Sequence, residues 1–550
     1  MSRDCVIENL KPDFHPHIDH ARELNPQQLG AVTAPPETKL FSSLDQTLKL
    51  NVLLTAATAL ALTAPAQGST NLVSQTTIPA KAAPSVGLLN DWLRRQSPEF
   101  EAWDIGGQFR LRFADSESAV PAAGTMTGIP TGGKPLTTPV NPNTDFIANG
   151  KPNSSDELLL RERVHLGCTP ASWLTAFAEF QSATENRDQR SPSPDQDEAN
   201  LSQASLSLGD PKKFPLMAKV GRQELIYGDQ RFAGVGDWNN PGRTFDAVKL
   251  RYAGDAFWVD AFSGNVVVPC NGHFDNSNSH DWFSGIYASS DKLLPWQESQ
   301  VYFLSRNADA NAVSAEAADV PGTPTTARDI YTFGFRFKSL PGKLGGWDYS
   351  LEAAGQLGGI YNSTLKTRLD QQAYAVFACA GYTWKNVWAA PRLGIGFEGG
   401  SGDSNSNDGK SGTFDNLFGS NHSFYGQMDL FCARNMNIPR ISASATPLKN
   451  LTLTADYLWF YLASTRDLLY PVSGSGRNSN GYGIHPGFSS EVGSELDLTA
   501  SYALKSWCKL QAGYGHFFVG DYIKQSVATV AANGGASDAD WVFVQTTINF

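Results

Sequence analysis

Basic side chains recur at a spacing of two in otherwise apolar stretches: Arg110 and Arg112, Arg161 and Arg163, Lys249 and Arg251, Arg336 and Lys338, with Arg392 alone. A guanidinium stays charged at any working pH, and its planar fork matches a carboxylate. In an extended chain, residues two apart share a face. The chemistry on offer is therefore non-covalent, the recognition or conduction of anions along a wall. Acidic residues hold the same kind of position: Glu179, Asp260, Glu352, Glu398, Asp429, Asp456, Glu495 and Asp497. Bases lie toward the first two-thirds of the chain and acids toward its end. In a closed structure this predicts opposed arcs of charge, with many acids paired to neighbouring arginines.

Patterns for covalent chemistry are missing. The sequence holds no HExxH and no GxSxG. GDQRFAGVG is not a dinucleotide fingerprint and leads into no helix. DSNSND before Gly409 departs from a calcium loop, because the glycine comes one place late and Phe414 stands where a glutamate is needed. It reads as a polar turn. An enzyme at a barrel rim would need a nucleophile beside His165 or His516, and no spacing singles one out. The expectation is a protein without catalysis, cofactor or metal.

The elements that must position these charges alternate apolar and polar. Phe109, Leu111 and Phe113 oppose Gln108, Arg110 and Arg112. Val248, Leu250 and Tyr252 oppose Lys249 and Arg251. Tyr331, Phe333, Phe335 and Phe337 oppose Arg336 and Lys338, and Leu393, Ile395 and Phe397 oppose Arg392 and Glu398. Leu496, Leu498, Ala500 and Tyr502 oppose Glu495, Asp497 and Thr499. This period of strands continues from Trp103 to the last residue without a clear helical interlude. GGKP, DPKK, LPGKLGG and PLKN read as turns. The segment from Val220 reads as a strand, a tight turn at Tyr227-Gly228-Asp229, a loop, and a second strand at FDAVKLRYAG.

A soluble sandwich and a membrane barrel both fit such a pattern. The 550 residues have a mean hydropathy of −0.29 and a net charge of −11, which argues against a nucleic-acid partner. The one long apolar run, LKLNVLLTAATALALTAPAQGS, has the basic, apolar and A-x-A regions of a secretory signal. Cleavage after Ala66 would remove seven acids and five bases and leave a net charge of −9. The 48 residues before Lys49 fit either a start codon assigned upstream or a long leading region. Gln67 to Ser85 reads as a linker, and Gly87 to Phe100 as a short helix that could dock through Trp92 and Leu93. Together these make a periplasmic segment, 67–101, ahead of a barrel, 102–550. Six widely spaced cysteines form no even framework once Cys5 is set aside.

The barrel is favoured by the dense Phe, Tyr and Trp on the apolar face. It is also favoured by Trp103, Trp173, Trp347, Trp384, Trp507 and Trp541 near strand ends, where an aromatic girdle would lie. WVFVQTTINF, with Val542, Val544 and Ile548 in phase before Phe550, resembles a closing strand read by barrel assembly machinery. The fold expected is all-β, a transmembrane antiparallel β-barrel of about 18 strands (about 16 to 18) around an aqueous lumen. Ser118 to Asp156, Cys270 to His280, Ala308 to Ala327 and Ser401 to His422 would be extracellular loops. The expected setting is the bacterial outer membrane and its lipid, with the barrel monomeric.

GRQELIYGDQRFAGVGDWNNPGRTFDAVKLRY, SGDSNSNDGKSGTFDNLFGSNHSFYGQMDL and VGSELDLTASYAL…QAGYGHFFVGDY resemble the alginate-export family of outer-membrane barrels. The similarity covers about Trp103 to Phe550. It implies an 18-stranded barrel with an arginine-lined constriction that passes an anionic uronate polysaccharide outward, with a periplasmic export partner possible. An uptake porin for small anions is the alternative on the same fold. The resemblance adds Arg222 to the path residues. Alternation from Val220 turns Arg222 toward lipid instead, a conflict that a bulge at Gly221 or a place at the membrane rim would resolve. Glu162, between Leu160 and Val164, poses the same conflict.

Overall fold

Alternating residues fold here as long antiparallel strands, because each strand can then offer one face to lipid and the other to the interior. The computed structural model describes residues 87–117, 146–149, 154–186, 195–315, 324–362, 365–422, 424–472 and 474–550. The signal, the linker, GGKP and most of Ser118 to Asp156 lie outside the described residues. The strands are β1 (Trp103–Glu117), β2 (Ser154–Ala171), β3 (Leu174–Asn186), β4 (Asp197–Leu208), β5 (Leu216–Gln223) and β6 (Phe245–Ala253). They continue as β7 (Trp258–Val268), β8 (Asn276–Leu294), β9 (Gln297–Ala308), β10 (Arg328–Ser339), β11 (Trp347–Asn362), β12 (Thr367–Thr383) and β13 (Arg392–Gly400). A two-residue β14 (Lys410–Ser411) precedes β15 (Met436–Leu448), β16 (Leu451–Leu462), β17 (Glu491–Lys505), β18 (Cys508–Val519) and β19 (Ala539–Asn549).

Sequential strands pair antiparallel, β13 pairs with β15, and β19 returns to β1, so 18 strands close a barrel. Closure matters because lipid offers no partner to an unpaired strand edge. The closing register runs from Gln108↔Asn549 to Glu117↔Asp540. Phe550 adds two main-chain bonds to Gly107, of 2.9 and 3.0 Å. Beyond Gly107 the seam is covered by α1 (Leu88–Gln96). Its buried Asn90 accepts from the Ile105 amide (2.8 Å) and donates to Asp104. The helix thus docks through Asn90, whereas Trp92 is 56% exposed, contrary to the contact expected for it.

The outer face carries Val248, Leu250, Phe333, Leu393, Ile395 and Leu498, all exposed, and Arg251, Arg336, Glu398 and Asp497 on the opposite face are buried. One end of the barrel has short turns, including DPKK, LPGKLGG and PLKN, and the other has long connections. In barrels of this kind the short turns face the periplasm. Trp103, Trp173, Trp347, Trp384 and Trp507 all lie at the short-turn end. Trp541 is the exception, since it is buried and faces inward with Phe543. A helix absent from the sequence reading, α2 (Asp521–Ala528), fills the β18–β19 connection and buries Tyr522, Ile523, Ser526 and Val527.

Phe333 sits mid-strand in β10 with half its surface exposed. Phe333→Arg is expected to destabilise the barrel in vesicles by about 2–4 kcal/mol in chemical denaturation. A loss below about 1 kcal/mol would mean that Phe333 does not face the hydrocarbon.

Candidate lumen constriction

Two connections fold into the lumen rather than away from it: residues 224–244 between β5 and β6, and 401–435 between β13 and β15. The first begins with the expected turn, closed by a Gln230 N–H to Tyr227 carbonyl bond of 2.9 Å, with Gly228 at φ 54°. The two segments meet in a short parallel pairing at Ala233 and Phe418. Gly234 and Phe418 amides donate to the carbonyls of Phe418 and Phe232, at 3.0 and 3.1 Å. Around this pairing lies an aromatic core. Phe232, Phe414 and Phe418 from the connections pack with Phe245, Phe283, Tyr302 and Phe377 from the wall. The Ser401 to His422 stretch is therefore partly lumenal, not simply an extracellular loop. Within it, Asp403 and Asp408 accept from the amides of Asn405 and Lys410 (2.9 Å each), as polar turns do.

The first connection reaches from wall to wall. At one side Arg231 meets Glu398 of β13 at 2.6 Å and Glu352 of β11 at 3.8 Å, between the rings of Phe377 and Phe424. At the other side it meets an arc of four arginines on β1 and β2. Arg110 donates to the carbonyls of Asp237, Trp238 and Asn239 and to the Asn240 side chain. Arg112 donates to Gln545 (2.9 Å) and the Trp238 carbonyl. Arg161 meets the Asp237 carboxylate at 2.8 Å, and Arg163 meets it at 3.7 Å and Glu179 at 4.0 Å. Arg112, the Trp238 ring and His422 form a three-layer stack, with 3.4 Å from the guanidinium carbon to the ring centroid and 3.6 Å between ring centroids.

The remaining path residues fall as follows. Arg251 is bidentate to Asp260 and lies 4.3 Å from the Trp258 ring. Lys249 is 4.0 Å from the same carboxylate. Arg336 is fully buried among Asp229, Glu298 and Gln300, at 2.7 to 3.0 Å. Arg392 pairs with Asp348 near the short-turn end and stays a quarter exposed. Glu179 accepts from Ser202 and Gln203. Asp429 is not on a strand. It lies in the second connection at φ 53° and binds His422 at 2.7 Å.

Arg222 needs correction as a path residue. It shares the outward phase of Val220, next to the end of β5, opposite Asp246. Its guanidinium takes both Asp246 oxygens (2.9 and 3.0 Å) and the carbonyls of Leu201 and Asp275. It is at the rim, outside the lumen. Glu162 is exposed on the outer face opposite Phe109 and Ser182, and nothing in the structure explains it. The opposed arcs of charge are corrected too. Most acids pair with a neighbouring base, as Arg306 does with Asp281 and Arg440 with Asp456. The buried pair Glu495 and Asp497 sits on β17, close to β1 around the wall rather than across from it, and accepts the Met428 and Gln427 amides. His165 and His516, considered for catalysis, bind Asp104 and Asp540.

Sequence reading missed the inward folding of both connections, and with it Arg231, Asp237 and Trp238. A signal was present. Solvated loops seldom hold so many aromatics as YGDQRFAGVGDWNN and FDNLFGSNHSFY.

The fold and the lumen together define an outer-membrane β-barrel channel. The chain belongs to the alginate-export family, whose model, "Alginate export", matches residues 139–537. No curated protein sequence matches the chain. Solved barrels similar to it include OpdO of Pseudomonas aeruginosa, 11% identical, with 82% of this chain and 97% of that one covered and a TM-score of 0.47. OccAB4 of Acinetobacter baumannii is 12% identical, with coverage of 81% and 98% and a TM-score of 0.45. OpdK of Pseudomonas aeruginosa with vanillate is 10% identical, with coverage of 81% and 98% and a TM-score of 0.48.

Enclosure by the barrel alone would raise the pKa of Asp237, but Arg161, Arg163 and Arg110 hold its carboxyl down at about 2. Asp229 behaves alike, with enclosure opposed by Arg336 and Lys338, and also lies at about 2. Both values are depressed from a carboxylate's usual value of about 4. The contacts are thus complete above that value and are lost as pH falls through about 2. Single-channel conductance is expected to rise as pH falls from about 4 toward 2. Asp237→Asn should show the raised level already at pH 7. A flat profile with an unaltered variant would mean that these ion pairs do not hold the connection.

Proposed function

We propose that the protein is a passive outer-membrane channel that exports an anionic, uronate-type polysaccharide or its oligomers past the β1–β2 arginines. One observation carries this reading. Among the described residues, the ion pairs of Arg110, Arg112, Arg161 and Arg163 within 4 Å are with two carboxylates, those of Asp237 and Glu179. Their other acceptors are neutral, chiefly carbonyls of residues 237–239. The Asp237 carboxylate and that row of carbonyls occupy the guanidiniums as a carboxylated sugar chain could. Displacing the connection would leave a wall with surplus positive charge, and such a wall favours anions. Family membership supports the class of cargo.

The same geometry also favours the alternative, an uptake porin for small anions. With both connections seated, the lumen is narrowed by their aromatic core, and small solutes pass such a gap more readily than a polymer.

The test is conductance of the refolded barrel in a planar bilayer under a potassium chloride gradient, with and without oligouronates. A reversal potential toward chloride is expected, with oligouronate block that Arg163→Ala weakens several-fold. Block that grows with oligomer length supports the polymer, and block by monomers alone supports the porin. Cation preference, or indifference to every uronate, would overturn both readings.

A further inference from the structure

At the long-loop end of β4, two carboxylates are buried side by side without a cation. Asp197 opens the strand, Asp275 lies in the β7–β8 connection, and they are 1% and 7% exposed. The amide of Asn200, itself 4% exposed, bridges them. It is 3.2 Å from Asp197 Oδ2 and in closer contact with Asp275 Oδ2. The Arg222 guanidinium is already matched by both oxygens of Asp246 and bonds to Asp275 through the main-chain carbonyl. Among the described residues, neither Asp197 nor Asp275 has an ion pair. Two adjacent buried carboxylates of one sign are costly unless something positive balances them.

One further atom points the same way. Asp197 Oδ1 is buried and has no hydrogen-bond partner. The oxygen and nitrogen of an asparagine amide are interchangeable by rotation. Turned over, Asn200 puts its oxygen between the two carboxylates. Donor separations of about 3 Å are those found in the oxygen shell of a hard cation bound at about 2.4 Å.

We propose that Asp197, Asn200 and Asp275 bind one hard divalent cation, best matched by Ca²⁺, at the long-loop rim of the barrel. Two carboxylates neutralise its charge, the amide oxygen adds a ligand, and water completes the shell. The Cys270 amide, which donates to Asp275 Oδ1 at 2.7 Å, orients that carboxylate. The site also reaches the constriction. Two residues before Asp197, Asp195 takes the Asn240 amide at 3.0 Å and, through its carbonyl, the Asn240 side chain at 3.1 Å. Asn240 in turn accepts from Arg110. An ion at Asp197 fixes the root of the segment that seats the inward connection against the arginine arc.

The test is calorimetric titration of the whole refolded barrel with Ca²⁺ after stripping with a chelator. One tight ion per chain is expected. Asp197→Asn and Asp275→Asn should each weaken binding about tenfold or more, while Asp309→Asn, at an exposed loop carboxylate, should not. Asn200→Asp adds a third charged ligand and should tighten it, which keeps the proposal testable if the other variants fail to fold. No binding up to about 1 mM, the weak limit of extracellular calcium sites, overturns the proposal. Binding equal in wild type and in all three site variants overturns it too. A pair that shares a proton instead would give one of these two results.

Discussion

The pairing of β19 with β1 is the constraint on which the rest depends. A sheet in lipid cannot keep a free edge, because an unmet amide or carbonyl there costs several kcal/mol. Once the edge is closed, the alternation along every strand has only one meaning: odd and even residues face two different solvents. Phe113 and Val544 meet lipid, and Arg112 and Gln545, one position away and bonded to each other, meet the interior. The covering of the seam by α1 follows from the same constraint. Asn90 supplies the acceptor that β19 no longer reaches.

The interior is then decided by electrostatics and by space. Charges brought into a partly enclosed lumen need partners, and most find them on the adjacent strand, as in Arg251 with Asp260. In the β1–β2 arc the contacts are made largely by a connection that folds inward and brings main-chain carbonyls and Asp237. The aromatic core between the two connections gives that arrangement hydrophobic support. Much of the apolar burial in this molecule thus lies inside the barrel, above the polar wall.

Legibility in the sequence divides along physical lines. Strand phase was readable from Phe333 against Arg336 or Ile395 against Glu398, because a period of two survives any register. The fold class followed from that phase. The site was readable only in part. Arg110, Arg112, Arg161 and Arg163 could be assigned to the inner face, but not what they bind, since Asp237 is separated from them by β3 to β5. Arg222 was misplaced as a path residue because the resemblance outweighed its outward phase. Trp541 was misplaced because position near a strand end does not say which face a ring takes. The helix α2 escaped notice because eight residues give too short a stretch for a helical period to stand out from a loop.

The connection from Glu224 to Thr244 is anchored at β13 through Arg231 and at β1 and β2 through Asp237 and its neighbours. It therefore behaves as a tie-rod across a hoop. A thin-walled cylinder resists flattening poorly, and a tensioned member between distant points on its wall stiffens the cross-section. The obstruction of the bore and the bracing of the hoop thus rest on the same two anchors, and the aromatic core holds the tie between them.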